Sequence, residues 1–380
     1  MTSVNQIATD KFFRESNFDL LRIICAFAVV AIHVSAQFIG AMTGDPQYVG
    51  VEFETVFNST VWNVLSRFAV PCFVMLSGAF LLANEKNANF SYFYKKSVHK
   101  FLLPLLLFSL LFYVYSNVLL VGGHFLIQKP ETLSLEVLFQ PLRNWISGEP
   151  FYHLWYMYML IGLYLFVPIL IQLKQQIGEN FFERTAWVLL ILSGIFAWGG
   201  AVTVYWNPSY CFDYIGYFMI GYVLRRKAKK NNLKGIALIC VGLIIEVLIA
   251  FWRYNEIIEG VAEGSHSLIA PLSPFIILAS VFIFSGFASL NIKRSFAYLS
   301  GLTFVIYLVH AGILQVIQIL SGKHFLRIYD VTGDTRVIIP LLCVVVFVLS
   351  ALFAHFYEKL NINQRMESLV FGNQEQNKLH

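Results

Sequence analysis

Long apolar runs recur along the whole chain, separated by short segments that are polar or contain glycine and proline. A helix needs about 20 apolar residues to cross the hydrocarbon core of a bilayer, and most of the runs reach or approach that length. The pattern predicts an all-α, polytopic transmembrane bundle of about ten spans. We place these spans at residues 18–40, 60–83, 98–121, 151–171, 185–204, 210–225, 235–253, 267–288, 297–320 and 335–357.

Basic residues are distributed unevenly between the two sides of this predicted bundle. If the N-terminus is inside, 20 of the 27 Lys and Arg residues fall in inside segments and six in outside segments or at their borders. Because cytoplasmic loops are enriched in Lys and Arg, both termini are expected to be cytoplasmic. The outside segment 122–150 is long enough for a short surface or re-entrant helix. We interpret residues 1–380 as one membrane-embedded domain with a polar tail over 358–380.

The composition agrees with a membrane protein and excludes several other classes. Hydrophobic residues make up 58% of the chain and charged residues 13%, which is not the composition of a soluble globular domain. The five cysteines lack paired spacing, so neither a disulfide framework nor a metal site is expected. Basic loops account for the net charge of +5, so no nucleic-acid partner is implied. The basic run RRKAKKNNLK, residues 225–234, is interpreted as a topology determinant, with binding of lipid headgroups or nucleotide phosphates as the alternative.

The first predicted span, NFDLLRIICAFAVVAIHVSA, carries Arg22 near its start and His33 well inside it. Arg22 and His33 are eleven residues apart, which is three helical turns plus about 20°, so both side chains lie on nearly one face. Their separation along the axis is roughly 16 Å. This arrangement suits an elongated ligand with an anionic head, such as acyl-coenzyme A. Alternatively, Arg22 reaches back to the membrane interface and His33 makes an interhelical hydrogen bond.

A second cation lies within the second predicted span, where Arg67 is followed by Pro71. This span descends while the first ascends, so Arg67 and His33 are expected at comparable depths. An arginine at that depth needs a partner. One interpretation is contact with a reacting group, and the alternative is a structural ion pair with Glu246 or Asp213.

Four motifs, in order along the chain, resemble those of the acyltransferase family 3 membrane proteins. They are the Arg22 to His33 interval, the segment RFAVPCFVMLSG that follows it, the His-Leu-Trp start of the fourth span, and Tyr-Leu-Val-His in the ninth. The overall length and the FYHLW segment look most similar to the branch that includes the enterobacterial common antigen O-acetyltransferase. The sequence departs from some relatives in lacking a fused esterase-like domain, so the membrane domain is expected to complete the transfer itself.

The resemblance implies an O-acyltransferase of the bacterial inner membrane. It would move an acyl group, most readily acetyl, from cytoplasmic acetyl-CoA to a hydroxyl of an extracytoplasmic or lipid-linked glycan, without a metal. We assign His33 as the general base, because an imidazole titrates near neutral pH. Arg67 is assigned to the thioester carbonyl or to the acceptor, and Arg22 to a phosphate of the donor. The expected acceptor contacts are His153, Trp155, Tyr307 and His310.

Other interpretations remain open for several of these residues. His310 and Tyr307 also suit a packing role between helices, and His153 and Trp155 an aromatic belt at the membrane interface. His33 either removes a proton or becomes transiently acylated. For the whole protein, the alternatives are a transporter or flippase of a lipid-linked glycan and a structural or regulatory membrane component. An arginine and a base at an acyl-sized interval favour the transferase.

Overall fold

The computed structural model describes residues 15–40, 53–126, 135–147, 149–198, 210–259, 268–320, 334–360 and 362. Within these ranges the chain is helical and contains no strand, so the predicted all-α class is confirmed. The α-helices of the described part are α1 (Ser16–Gly40), α2 (Phe53–Val64), α3 (Ala69–Leu81), α4 (Phe90–Ser97), α5 (Leu103–Leu126), α6 (Leu135–Ser147), α7 (Trp155–Ile177), α8 (Glu179–Trp198), α9 (Cys211–Lys227), α10 (Asn232–Ile258), α11 (Pro274–Ser289), α12 (Ala297–Leu320) and α13 (Thr335–Lys359).

The described part contains eight helical stretches that are long and apolar enough to cross a membrane. α9 and α11 have 17 and 16 residues, which is below the about 20 residues that a span normally needs. The count of ten spans and the cytoplasmic position of both termini therefore stay predictions. Helix α6 agrees with the helix expected in the segment 122–150, whereas the tail 363–380 lies outside the described residues.

Several helices extend beyond the bounds that hydropathy predicts. Helix α2 begins at residue 53 rather than 60, α8 at residue 179 rather than 185, and α10 ends at residue 258 rather than 253. The added residues are mostly polar. Hydropathy marks the part of a helix that lies in lipid, whereas the backbone hydrogen bonds continue into polar residues at either end.

Several helix ends meet where α1 begins, and we call this the proximal end of the bundle. Arg225, near the end of α9, binds the carboxylate of Glu15 just before α1, with 2.6 Å between nitrogen and oxygen. Lys174, near the end of α7, donates to the carbonyl of Leu82 just after α3, at 2.9 Å. The opposite, distal end is where α1 ends and α7 begins.

The second predicted span is a broken helix, which corrects the expectation of a continuous one. Turns at residues 65–68 separate α2 from α3. Pro71 explains the break, because its ring lacks an N–H and clashes with the carbonyl of Arg67, four residues earlier. The N–H of Phe68 instead donates to Oε1 of the buried Glu246 on α10, at 3.0 Å. Irregular backbone persists at membrane depth where the protein satisfies its polar groups in this way.

Helices α3 and α9 pack with their backbones in close approach. A Cβ atom at Gly78 would lie 1.7 Å from the carbonyl oxygen of Phe218, and one at Gly221 would lie 1.9 Å from that of Met75. Only glycine fits at these two positions without moving a helix. Small residues at such crossings are typical of helix association in membranes.

Candidate active site

Three histidines from distant parts of the chain lie together inside the bundle. The rings of His33 on α1 and His310 on α12 have centroids 5.2 Å apart. His153, in the turn before α7, has its centroid 5.0 Å from that of His310. His153 and His310 are fully buried, whereas His33 is partly exposed. Because ionisable groups at membrane depth are costly, three in one cluster indicate a functional site.

Two of these histidines have one ring nitrogen committed to a backbone carbonyl. Nδ1 of His310 lies 2.7 Å from the carbonyl oxygen of Tyr307, and Nε2 of His153 lies 3.2 Å from that of Leu308. A carbonyl oxygen only accepts hydrogen bonds, so these two nitrogens carry the ring hydrogens. In the neutral rings the other nitrogens are acceptors, and neither has a hydrogen-bond partner among the described residues. The cluster therefore offers two unused acceptors to a ligand that donates hydrogen bonds, such as a hydroxyl group.

Two tyrosines join the histidine cluster and hold its parts together. The hydroxyl of Tyr307 donates to the backbone carbonyl of His153 at 2.5 Å, which attaches the turn before α7 to α12. The ring of Tyr152 meets the ring of His33 edge to face, with centroids 5.0 Å apart. The structure thus brings His153, Tyr307 and His310 together around His33.

Arg67 lies in the helix break and is connected to α1 next to His33. Its Nε and Nη2 atoms donate to Oδ1 of Asn63, at 2.9 and 2.5 Å. The amide nitrogen of Asn63 donates to the carbonyl of Ile32 at 3.1 Å and to the hydroxyl of Ser35 at 3.2 Å. Asn63 therefore uses its donors and its acceptor to fix the guanidinium relative to the turn that carries His33. The expectation that the two residues share a depth agrees with this connection.

Glu246, one of the alternative partners considered for Arg67, contacts the helix break that carries this arginine. Glu246 accepts the backbone N–H of Phe68 and is close enough for its charge to interact with that of Arg67. Its second carboxylate oxygen has no hydrogen-bond partner in the described part of the chain. Glu246 thus contacts the helix break directly and also interacts electrostatically with the arginine.

Arg22 lies on the same face of α1 as His33, as their spacing predicts. Its Nη1 atom is 3.2 Å from the hydroxyl of Ser300 and 3.4 Å from the carboxylate of Asp19. Ser300 and His310 both belong to α12, so one helix contacts both functional candidates of α1. Side chains between the two on α1 turn toward the bundle interior, where they are buried: Cys25, Ala26 and Val29.

Of the four predicted acceptor contacts, Trp155 is the one that lies away from the histidine cluster. Its ring packs 6.2 Å from that of Tyr210 and 6.1 Å from that of Tyr214, centroid to centroid, beside α9. It lies at the start of α7, two residues after His153, and the helix turns the two side chains apart. Its contacts are those of an aromatic packing residue.

Sequence reasoning missed two residues that shape the site. Asn63 lies one turn before Arg67 on the same helical face, and this spacing was a usable signal. Tyr152 directly precedes His153 in the FYHLW motif, but nothing in the sequence places its ring against α1. The part of Glu246 in the helix break also depends on packing between α2, α3 and α10.

The fold and this cluster together define a multi-pass helical membrane protein with three histidines grouped inside the bundle. No group of three or more His, Cys, Asp or Glu residues in the described ranges is arranged to hold a metal ion. The family model Acyl_transf_3, described as an acyltransferase domain, matches residues 15–355. The chain therefore belongs to this family of membrane acyltransferases. No curated protein and no solved structure matches the chain.

Proposed function

We propose that the protein transfers an acyl group, most readily acetyl, from cytoplasmic acyl-CoA to a hydroxyl of an extracytoplasmic or lipid-linked glycan. The observation that supports this most directly is the histidine cluster, in which His153 and His310 hold unused acceptor nitrogens beside His33, and His33 shares a face of α1 with Arg22. A hydroxyl donor fits such acceptors, and an anionic donor headgroup fits the arginine. We propose the bacterial inner membrane as its location, and the membrane-length apolar helices and the family of membrane acyltransferases support a multi-pass membrane protein.

The proposed reaction is a direct transfer between two bound substrates. The acceptor oxygen attacks the thioester carbonyl while His33 removes the hydroxyl proton. The carbon–sulfur bond then breaks, and the imidazolium of His33 returns that proton to the leaving thiolate, which gives free CoA. Arg67 stabilises the negative charge that develops on the carbonyl oxygen. Asn63 keeps its guanidinium beside the turn of His33.

Exposure distinguishes His33 from the other two histidines. His33 is partly exposed and forms no hydrogen bond to any described residue, so its ring is accessible to substrate. His310 is buried, and its Nδ1 hydrogen is engaged by Tyr307. We assign to Nε2 of His310 the orientation of the His33 ring, which leaves Nδ1 of His153 as the acceptor for a substrate hydroxyl. Orienting the base is the task that a carboxylate performs in other nucleophile–base systems.

The acceptor is proposed to be a sugar bound beside the histidines at the distal side. His153 and Tyr307 shape that side, since the tyrosine hydroxyl holds the backbone of His153 against α12. The FYHLW segment, which supplies Tyr152 and His153, is also the one that resembles the branch acetylating enterobacterial common antigen. That antigen is our first choice of acceptor.

Replacing His33 tests the proposal. His33→Gln keeps a hydrogen-bonding side chain but cannot take a proton at neutral pH. General-base catalysis is typically worth about 10² to 10⁴ in rate, so transfer of radiolabelled acetyl from acetyl-CoA to membrane glycan should fall by that factor. The matched control is His355→Gln, because His355 lies on α13 and contacts Tyr298 near the proximal end. Near-normal transfer by His33→Gln at normal expression would refute the assignment, and glycan movement without acetylation would favour a flippase.

A further inference from the structure

A cavity of about 420 Å³ opens at the proximal end of the bundle, outside the histidine cluster. Small-molecule sites commonly have volumes of roughly 300–1,000 Å³. Three cationic side chains and one carboxylate line it, together with aromatic rings: Arg225, Arg226, Lys230, Glu15, Tyr222 and Phe18. Arg225 is paired with Glu15, and Arg226 with Glu179 and Glu183, so the remaining positive charge, that of Lys230, favours an anionic ligand.

Two of these cations have hydrogen-bond donors to spare. Arg225 uses three of its five N–H groups, two on the carboxylate of Glu15 and one on the carbonyl of Ala79. The ammonium group of Lys230 donates to the carbonyl of Ala288 at 2.9 Å and has two further N–H groups. Burial lowers the pKa of Lys230, and Glu15 opposes that shift only in part. An anion in the cavity would complete the charge balance.

An aromatic ring connects this cavity to Arg22. The guanidinium carbon of Arg225 lies 4.4 Å from the centroid of the Phe80 ring, and that of Arg22 lies 5.7 Å from the same centroid. The cavity also borders Phe18, four residues before Arg22 on α1. From Phe18 to His33 the helix rises about 22 Å. The cavity at Phe18, then Arg22 and then His33 therefore follow one another along the first helix.

We propose that this cavity binds the phosphate-bearing nucleotide end of the acyl-CoA donor, with Arg225 and Lys230 as phosphate contacts. The inference rests on the proposed function, because it places the donor's head at the proximal end and its thioester toward His33. An anionic lipid headgroup has the same phosphate chemistry. The alignment of the cavity with Arg22 favours the nucleotide, since a headgroup needs no route to the histidines.

Equilibrium binding separates these ligands without requiring turnover. We would measure the affinity of the purified full chain in phosphatidylcholine nanodiscs for CoA and for pantetheine, which lacks the nucleotide. Lys230→Gln should weaken CoA binding about tenfold through loss of a charge-assisted contact, and leave pantetheine binding unchanged. The control is Lys229→Gln, because Lys229 is exposed like Lys230 but does not line the cavity. Glu15 and Ala79 hold Arg225 in the fold, so Lys230 is the safer site to change.

Equal CoA affinities for the wild type, Lys230→Gln and Lys229→Gln would overturn the inference. It would also be overturned if phosphatidylglycerol in the nanodiscs stabilised the wild type but not Lys230→Gln, while CoA affinity stayed the same. A lipid headgroup would then be the ligand. The proposed function can fail separately from the inference. If CoA binding depends on Lys230 but the protein transfers no acyl group, the binding site stands and the transferase function is refuted. If the protein transfers acyl groups but its CoA affinity does not depend on Lys230, the function stands and the binding site is refuted.

Discussion

The contact between Glu246 and the broken second span gives a sharp test of how the site is held. Glu246→Leu keeps a similar volume but removes the acceptor for the backbone N–H of Phe68, which donates at 3.0 Å. A hydrogen bond contributes about 0.5–1.5 kcal/mol net, and leaving a buried donor unsatisfied costs about 1–3 kcal/mol. Because Glu246→Leu leaves the N–H of Phe68 buried without its acceptor, we expect a loss of about 2 kcal/mol in the free energy of unfolding.

Activity should fall more than this stability loss suggests. The turns at residues 65–68 carry Arg67, and a shift of about 1 Å in a catalytic group can cost about 10²-fold in rate. Glu246→Gln retains an acceptor oxygen, so it should preserve the break and most of the stability. We would measure thermal unfolding in detergent and acetyl transfer in membranes for both variants. Glu259→Gln, an exposed position just after α10, is the matched control.

Equal stability and equal activity for Glu246→Leu and wild type would refute the reasoning. It would mean that the Phe68 N–H finds another acceptor and that Arg67 does not depend on the break. If instead Glu246→Gln were as defective as Glu246→Leu, the negative charge rather than the hydrogen bond would be the essential feature. That charge would then act on Arg67 directly.

Three further predictions follow from the described contacts. Arg22→Ala should raise the KM for acyl-CoA by about tenfold with little change in kcat, because a remote phosphate contact is uniform binding, and a fall in kcat alone would contradict this. Gly221→Ala should lower the free energy of unfolding by about 1–3 kcal/mol in thermal melts, because the new Cβ would meet a backbone carbonyl. Gly194→Ala is the control and should cost less, because the atom nearest to its Cβ is the end of a flexible side chain. In Lys229→Cys the new thiol should react with an impermeant maleimide only after the cells are opened, whereas in Gln140→Cys it should react in intact cells. The opposite result would invert the predicted topology.

The class of fold could be predicted from the sequence because lipid imposes a strong local constraint. Backbone polar groups in lipid must be satisfied by the protein itself, and a continuous helix does this within one segment, so a long apolar run most often forms a helix. The shared face of Arg22 and His33 was also local information, since helical periodicity alone determines it. Their common contacts with α12 confirm it. Pro71 is a residue at which helices commonly break, but the second span was predicted as one continuous helix.

The composition of the site was decided by tertiary packing. His153 and His310 are 157 residues apart in the sequence, and no local rule relates them. Their free nitrogens are acceptors only because the carbonyls of Leu308 and Tyr307 engage the others. Glu246 reaches the break from α10 because the missing helical bond at Phe68 needs an acceptor there. Periodicity therefore determines which residues share a helix face, whereas packing between helices determines which faces meet and which polar atoms remain for a substrate.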